Sequence, residues 1–205
     1  MKLLRAVCCV CLGLLFAVSA APSIAAETIV PHTLPEIHGK VVKAVRYKDA
    51  TGDNLVILSH TDSVFSRNAA ETLSSKELYA YRFLLKENGS VERVWRVTDY
   101  VRECFTDITA EFAHEAFQVT DLDNNGTAEI WMPYYLGCSG DIGPIGMKII
   151  MYEGGKKYAV RGETQGLVNK NAHVGGEYAL DEAFNSGPDT FVTFARALWA
   201  KHMQR

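Results

Sequence analysis

The run Asp121-Leu122-Asp123-Asn124-Asn125-Gly126-Thr127-Ala128-Glu129 places oxygen-bearing residues at alternate positions around a glycine. In a tight turn such side chains converge on one side, the glycine lets the backbone reverse, and a hard cation takes about six to eight oxygens. Asp121, Asp123 and Asn125 are expected to offer side-chain oxygens, Thr127 a backbone carbonyl, and Glu129 a carboxylate, directly or through water. The cofactor predicted is a structural Ca²⁺, bound with an affinity on the order of 10⁻⁵–10⁻³ M because the loop has three carboxylates and ordinary flexibility. The same residues also fit an acidic hairpin turn whose Asp and Asn side chains bond their own backbone without a metal.

An EF-hand would carry a bidentate Glu at the twelfth loop position, where this chain has Met132, and the flanking residues read as strands. A helix–loop–helix is therefore not expected. From Phe117 to Tyr135 the segment resembles the loops of FG-GAP or integrin-type propeller blades, in which D-x-D-x-[DN]-G-x-x-[DE] links neighbouring strands. The resemblance implies a calcium loop between two strands. It does not extend to a full propeller, which needs several blades and a longer chain.

The first 26 residues read as a signal peptide: Lys2 and Arg5, an apolar run from Ala6 to Val18, then small residues through Ser19–Ala26. Cleavage after Ala26 would leave Glu27 first, and cleavage after Ala20 or Ala21 is the alternative. The apolar run is too short to span a bilayer, which takes roughly 20 residues. Cys8, Cys9 and Cys11 lack the small preceding residue that a lipid-modified cysteine requires. Removing the leader removes Lys2 and Arg5 and no acid, so the formal charge moves from −3 to −5. Such a surface favours neither nucleic acid nor anionic lipid, and no later segment is long and apolar enough for stable membrane insertion. A periplasmic or secreted location follows. In that oxidising compartment Cys104 and Cys138 remain as an even pair and are expected to form a disulfide. Only one predicted strand separates Cys138 from the acidic loop, so the bridge is expected to lie near that loop and hold it in shape.

Other motifs carry less. Gly137-Cys138-Ser139-Gly140-Asp141 matches neither G-x-S-x-G nor G-D-S-G-G, so Ser139 is not expected to be a nucleophile. His32, His38, His60, His114, His173 and His202 lack the spacing of a zinc site. Gly154-Gly155-Lys156-Lys157 reads as a hairpin turn rather than a phosphate loop. Trp95, Trp131, Tyr134, Tyr135, Tyr152 and Tyr158 could line a sugar-binding face, but core positions suit them better.

Positioning these residues calls for a mainly β domain, sandwich-like or propeller-blade-like, built as an antiparallel meander of hairpins with a C-terminal amphipathic helix. Residues 27–39 are a proline-containing extended lead-in, and residues 40–205 form a single domain. Val41–Tyr47 and Asn54–His60 flank turn residues, and Glu77–Lys86 and Val91–Tyr100 repeat the arrangement, with Tyr79, Tyr81 and Phe83 on one face. Phe117–Thr120 and Ala128–Tyr135 flank the acidic loop, and Met147–Glu153 pairs with Lys157–Gly162. Residues 189–203 space Phe191, Phe194, Ala195, Leu198 and Trp199 as a helix does, with Ser186 or Asp189 as its cap. Val168–Ser186 has no clear period and reads as a loop with at most one short element.

Across Trp95–Gly162, the order Cys104, Val119 through Glu129, Cys138, Asp141, Pro144 and Lys148 through Gly162 resembles a family of small exported bacterial proteins labelled for surface polysaccharide biosynthesis. That label implies a process and supplies no catalytic residues. Three function classes follow: an exported non-catalytic domain that binds a glycan or an envelope protein, a hydrolase of envelope glycans using carboxylates such as Asp141, Glu163 or Asp181, and an inhibitor or chaperone-like accessory protein.

Overall fold

A computed structural model describes residues 24–28, 37–67, 71–169 and 172–204. In chain order its elements are β1 (Ala26–Thr28), β2 (Lys40–Asp49), β3 (Gly52–His60), β4 (Val64–Arg67), β5 (Thr72–Leu85), β6 (Val91–Cys104) and β7 (Ile108–Phe112). After a 3-10 turn at His114–Ala116 come β8 (Gln118–Thr120), β9 (Glu129–Cys138), β10 (Gly146–Glu153), β11 (Lys156–Glu163), β12 (Gln165–Asn169), β13 (Ala172–Gly175) and β14 (Tyr178–Leu180). Helices α1 (Glu182–Asn185) and α2 (Asp189–His202) follow. The protein is mainly β, with antiparallel hairpins and a C-terminal helix. Among the described residues no helix is long and apolar enough to cross a membrane.

The four expected hairpins form: β2–β3, β5–β6, β8–β9 and β10–β11. They do not make one continuous meander. One sheet runs β1-β2-β3-β5-β4 with β6 also on β5, and the other runs β14-β11-β10-β9-β7 with β8 also on β9. The chain changes sheets between β6 and β7. β7 and β8 share one edge of β9 in succession, and the break between them lies opposite Met132 and Pro133. There Ala113 N–H donates to the Pro133 carbonyl at 2.9 Å, which continues the tie across the gap.

Strand alternation distributes the core over three layers. Val56, Leu58, Leu78 and Ala80 of the first sheet meet Ile130, Met132 and Ile150 of the second between the sheets. Trp131, Met147, Ile149, Met151, Tyr158 and Val160 point the other way, onto Phe184 of α1 and Phe191, Ala195, Leu198 and Trp199 of α2. On the far face of the first sheet Leu55, Ile57, Tyr79, Tyr81 and Phe83 form a third cluster, with the three rings stacked in line.

Several sequence expectations require correction or fall outside the described residues. Residues 1–23 of the leader and 29–36 of the lead-in lie outside them, but Ala26–Thr28 is a strand on β2 rather than unpaired lead-in. Val168–Ser186 holds β13, β14 and α1, because β14 gains its ladder from the distant β11 through Val160–Leu180, Arg161–Ala179 and Gly162–Tyr178. Neither Ser186 nor Asp189 caps α2. Pro188 occupies the cap, Asp189 is already in the first turn, and the Ser186 hydroxyl donates back to the Glu182 carbonyl of α1 at 3.2 Å.

Candidate metal centre

The β8–β9 connection turns through two residues in the left-handed region, Asn124 at φ 58° and Gly126 at φ 81°. Gly126 meets the conformation without a side-chain penalty, and Asn is among the residues that tolerate it best. Leu122, between the first two aspartates, is buried in the helix-side core and pins the loop from beneath. The loop thereby folds back so that Asp121, Asp123 and Glu129 each present a carboxylate oxygen within 4.8 Å of one another.

The trio is asymmetric. Glu129, the first residue of β9, is 0% exposed. It accepts the Thr120 hydroxyl at 2.6 Å and the Leu122 N–H at 3.0 Å, and Thr120 in turn accepts the Trp131 indole N–H at 2.8 Å. Burial pushes its carboxyl above the ordinary 4.5; the Thr120 and Leu122 bonds oppose this, and the charges of Asp123 and Asp121 add to it. Asp121 accepts the Gly126 N–H on Oδ2 at 3.1 Å. Its Oδ1 is shut off from solvent and has no hydrogen-bond partner. Asp123 is half-buried and accepts from Asn125, through the backbone N–H at 3.2 Å and the side-chain amide at 3.0 Å.

Asn125 is exposed, and its Oδ1 accepts the Thr127 N–H at 2.7 Å while its amide nitrogen donates to Asp123 and Glu153. Its oxygen therefore serves the loop's own backbone, as in an Asx turn. The donor set of three carboxylates with one buried, unsatisfied oxygen fits a hard cation, and such groups are costly to bury without a partner. Asp121, Asp123 and Glu129 can hold a metal ion.

Residues far away in sequence complete the loop's support. Asp49, the last residue of β2, accepts the Ala128 N–H on Oδ2 at 3.0 Å, and Ala50 N–H, in the β2–β3 turn, donates to the Gly126 carbonyl at 2.7 Å. Arg82, 4% exposed, donates to Asn54 at 3.1 Å and to the Gly154 carbonyl at 3.0 Å, tying the first sheet to the β10–β11 turn beside the loop. Asp49 and Arg82 carry no local motif, and only the packing of the first sheet on the second brings them here. Glu153 arrives through its pairing with Glu129 in the neighbouring strand.

Cys104 and Cys138 form the expected disulfide, with Cα atoms 5.4 Å apart. Its expected place beside the acidic loop is overturned. Glu129 begins β9 and Cys138 ends it, so an extended strand of about 30 Å separates the two features. The bridge instead joins the end of β6 in one sheet to the end of β9 in the other.

The remaining candidates are dispersed. Asp141 accepts the Ser139 hydroxyl at 2.7 Å and the Gly143 N–H at 2.8 Å, which hold its carboxyl below the ordinary range. Glu163 is exposed at the end of β11, and Asp181 precedes α1 with one buried, unpartnered oxygen. Trp131, Tyr134 and Tyr158 are core, and Trp95 is buried against the Tyr152 ring at 4.5 Å. His60 and His114 line one small hollow with Glu111 and Tyr135, but no histidine joins a metal-holding group among the described residues. No protein-family model, no curated protein and no solved structure matches this chain.

Proposed function

We propose that this chain is an exported, non-catalytic binding domain in which the Asp121–Glu129 loop holds a structural calcium ion, and that it binds a glycan or an envelope protein, in keeping with its resemblance to exported proteins of surface polysaccharide biosynthesis. The observation that carries the metal half is the convergence of Asp121, Asp123 and Glu129 within 4.8 Å, with Asp121 Oδ1 buried and unpartnered. Calcium is favoured over softer ions because the donors are all oxygens, and over magnesium because a flexible loop accommodates variable coordination better than a strict octahedron. A cation there offsets the repulsion among three carboxylates and the cost of keeping Glu129 ionised and buried. The ion's role is structural: it would fasten the β8–β9 turn to the end of β2 through Asp49 and to the β2–β3 turn through Ala50.

The binding half is supported by large apolar side chains left exposed near the disulfide. Phe65, 70% exposed, is in register with Ser74, which is in register with Cys104, and Phe105 follows at 67%. Ile142, 86% exposed, lies in the loop after Cys138. Exposed apolar side chains grouped in this way mark interaction surfaces more often than isolated ones do.

Calorimetric titration of the purified, chelator-treated protein with calcium tests the metal half. The expected result is one site with a dissociation constant on the order of 10⁻⁵–10⁻³ M, accompanied by a rise in melting temperature. Absence of both heat and a melting shift at millimolar calcium would remove it. A glycan array and capture from envelope extract, each repeated with Phe105→Ser, test the binding half: retention lost in the variant supports it, and no retention of any ligand by the parent opposes it.

A further inference from the structure

β1 is only three residues long, yet it is tied into the fold on two sides. Ala26, Glu27 and Thr28 pair antiparallel with Tyr47, Arg46 and Val45, so β1 covers part of the edge of β2 that β3 leaves free. Two residues upstream, Ile24 packs against the inter-sheet cluster that contains Val45 and Tyr47. An uncovered strand edge is a template for unwanted pairing, and a covered one is not. The folded domain therefore uses side chains that begin at Ile24.

Small residues suited to a leader peptidase occur both before and after this point, at Val18-Ser19-Ala20 and at Ile24-Ala25-Ala26. Hydrolysis after Ala26 would discard Ile24 and the first residue of β1. Hydrolysis after Ala20 keeps both. The adjacent Ala21–Pro22 bond is a tertiary amide with the proline ring on its nitrogen, a poor fit for a peptidase that binds an extended chain.

We propose that the leader is removed by hydrolysis of the Ala20–Ala21 bond, so that the exported chain begins Ala21-Pro22-Ser23-Ile24 and keeps β1 as a working strand. Water adds across the amide, Ala20 leaves with the new carboxylate, and Ala21 carries the new α-amino group. This rests on the export reading above, and the experiment separates the two.

The full-length chain is expressed in a bacterium with an intact export pathway, recovered from the periplasm, and its first residue determined by N-terminal sequencing and intact mass. Ala21 is expected; a chain beginning at Ala26 or Glu27 overturns the proposal. An unprocessed chain beginning at Met1 sinks the export reading and the cleavage site together. In parallel, chains 21–205 and 27–205 are melted side by side. The shorter one is expected to melt about 3–6 °C lower, a shift in keeping with losing one partly buried isoleucine and part of a strand from a domain of this size. Equal melting temperatures would show that β1 and Ile24 contribute nothing, and would remove the reason for placing the cut upstream.

Discussion

Replacing Asp121 by Asn removes one negative charge from three crowded within 4.8 Å and leaves an amide that can still accept the Gly126 N–H. Two opposite effects are expected, and they separate the cation from the bare turn. Without added ion, Asp121→Asn melts at the parent temperature or slightly above it, because like-charge repulsion is relieved. With millimolar calcium the parent gains stability and the variant does not. Differential scanning fluorimetry with and without chelator reads both, and an equal calcium response in the two proteins would dismiss Asp121 as a ligand. A second residue-scale prediction concerns Asp53, whose carboxyl is held below its ordinary 3.8 chiefly by the Arg46 hydrogen bond, against the opposing effect of burial. Because the folded value lies below the unfolded one, the stability it contributes is fully present above the unfolded value and is lost as pH falls through the folded value. Asp53→Asn should therefore melt below the parent at pH 7, and the gap should narrow as the pH falls below about 3.8. A pH-independent gap would mean that packing, not charge, accounts for the loss.

At the scale of elements, β9 carries the acidic loop at one end and the disulfide at the other, and this separation makes the two independent. The double variant Cys104→Ser with Cys138→Ser should lose about 3–4 kcal/mol of unfolding free energy, the chain-entropy value for a closed loop of this length. Its calcium affinity should stay within about twofold of the parent, since effects at well-separated sites without shared partners are nearly additive. Urea denaturation measures the first quantity and calorimetry the second; a tenfold loss of affinity would show that the bridge shapes the metal loop after all. The loop's support comes instead from the end of β2, where Asp49 bonds the Ala128 N–H, and from the β2–β3 turn, where Ala50 bonds the Gly126 carbonyl.

For the whole molecule, the decisive packing is that of the second sheet, which is buried on both faces: against the first sheet on one side and against α1 and α2 on the other. Phe191, 0% exposed, meets Trp131 and Tyr158 edge-on at 6.4 and 5.5 Å, so α2 is keyed into the sheet by a ring cluster. Phe191→Ala should cost about 3–5 kcal/mol in chemical denaturation, the usual range for emptying such a site, and a loss under about 1 kcal/mol would mean that α2 is peripheral. The sequence alone determined what depends on short-range periodicity and local chemistry. The four hairpins, the helix near 189–203, the Tyr79-Tyr81-Phe83 face and the acidic turn all follow from alternation, turn residues and helical spacing within a dozen positions. The Cys104–Cys138 pairing was legible for a different reason, as the one even pair left once the leader is set aside. What only the tertiary structure decided involves partners far apart in the chain. The division into two sheets, the β14–β11 ladder, the supports Asp49 and Arg82, and the placing of the bridge about 30 Å from the acidic loop arise when strands remote in sequence pair and pack. Local pattern encodes which face of a strand is apolar, whereas the identity of the surface that buries it is a property of the whole chain.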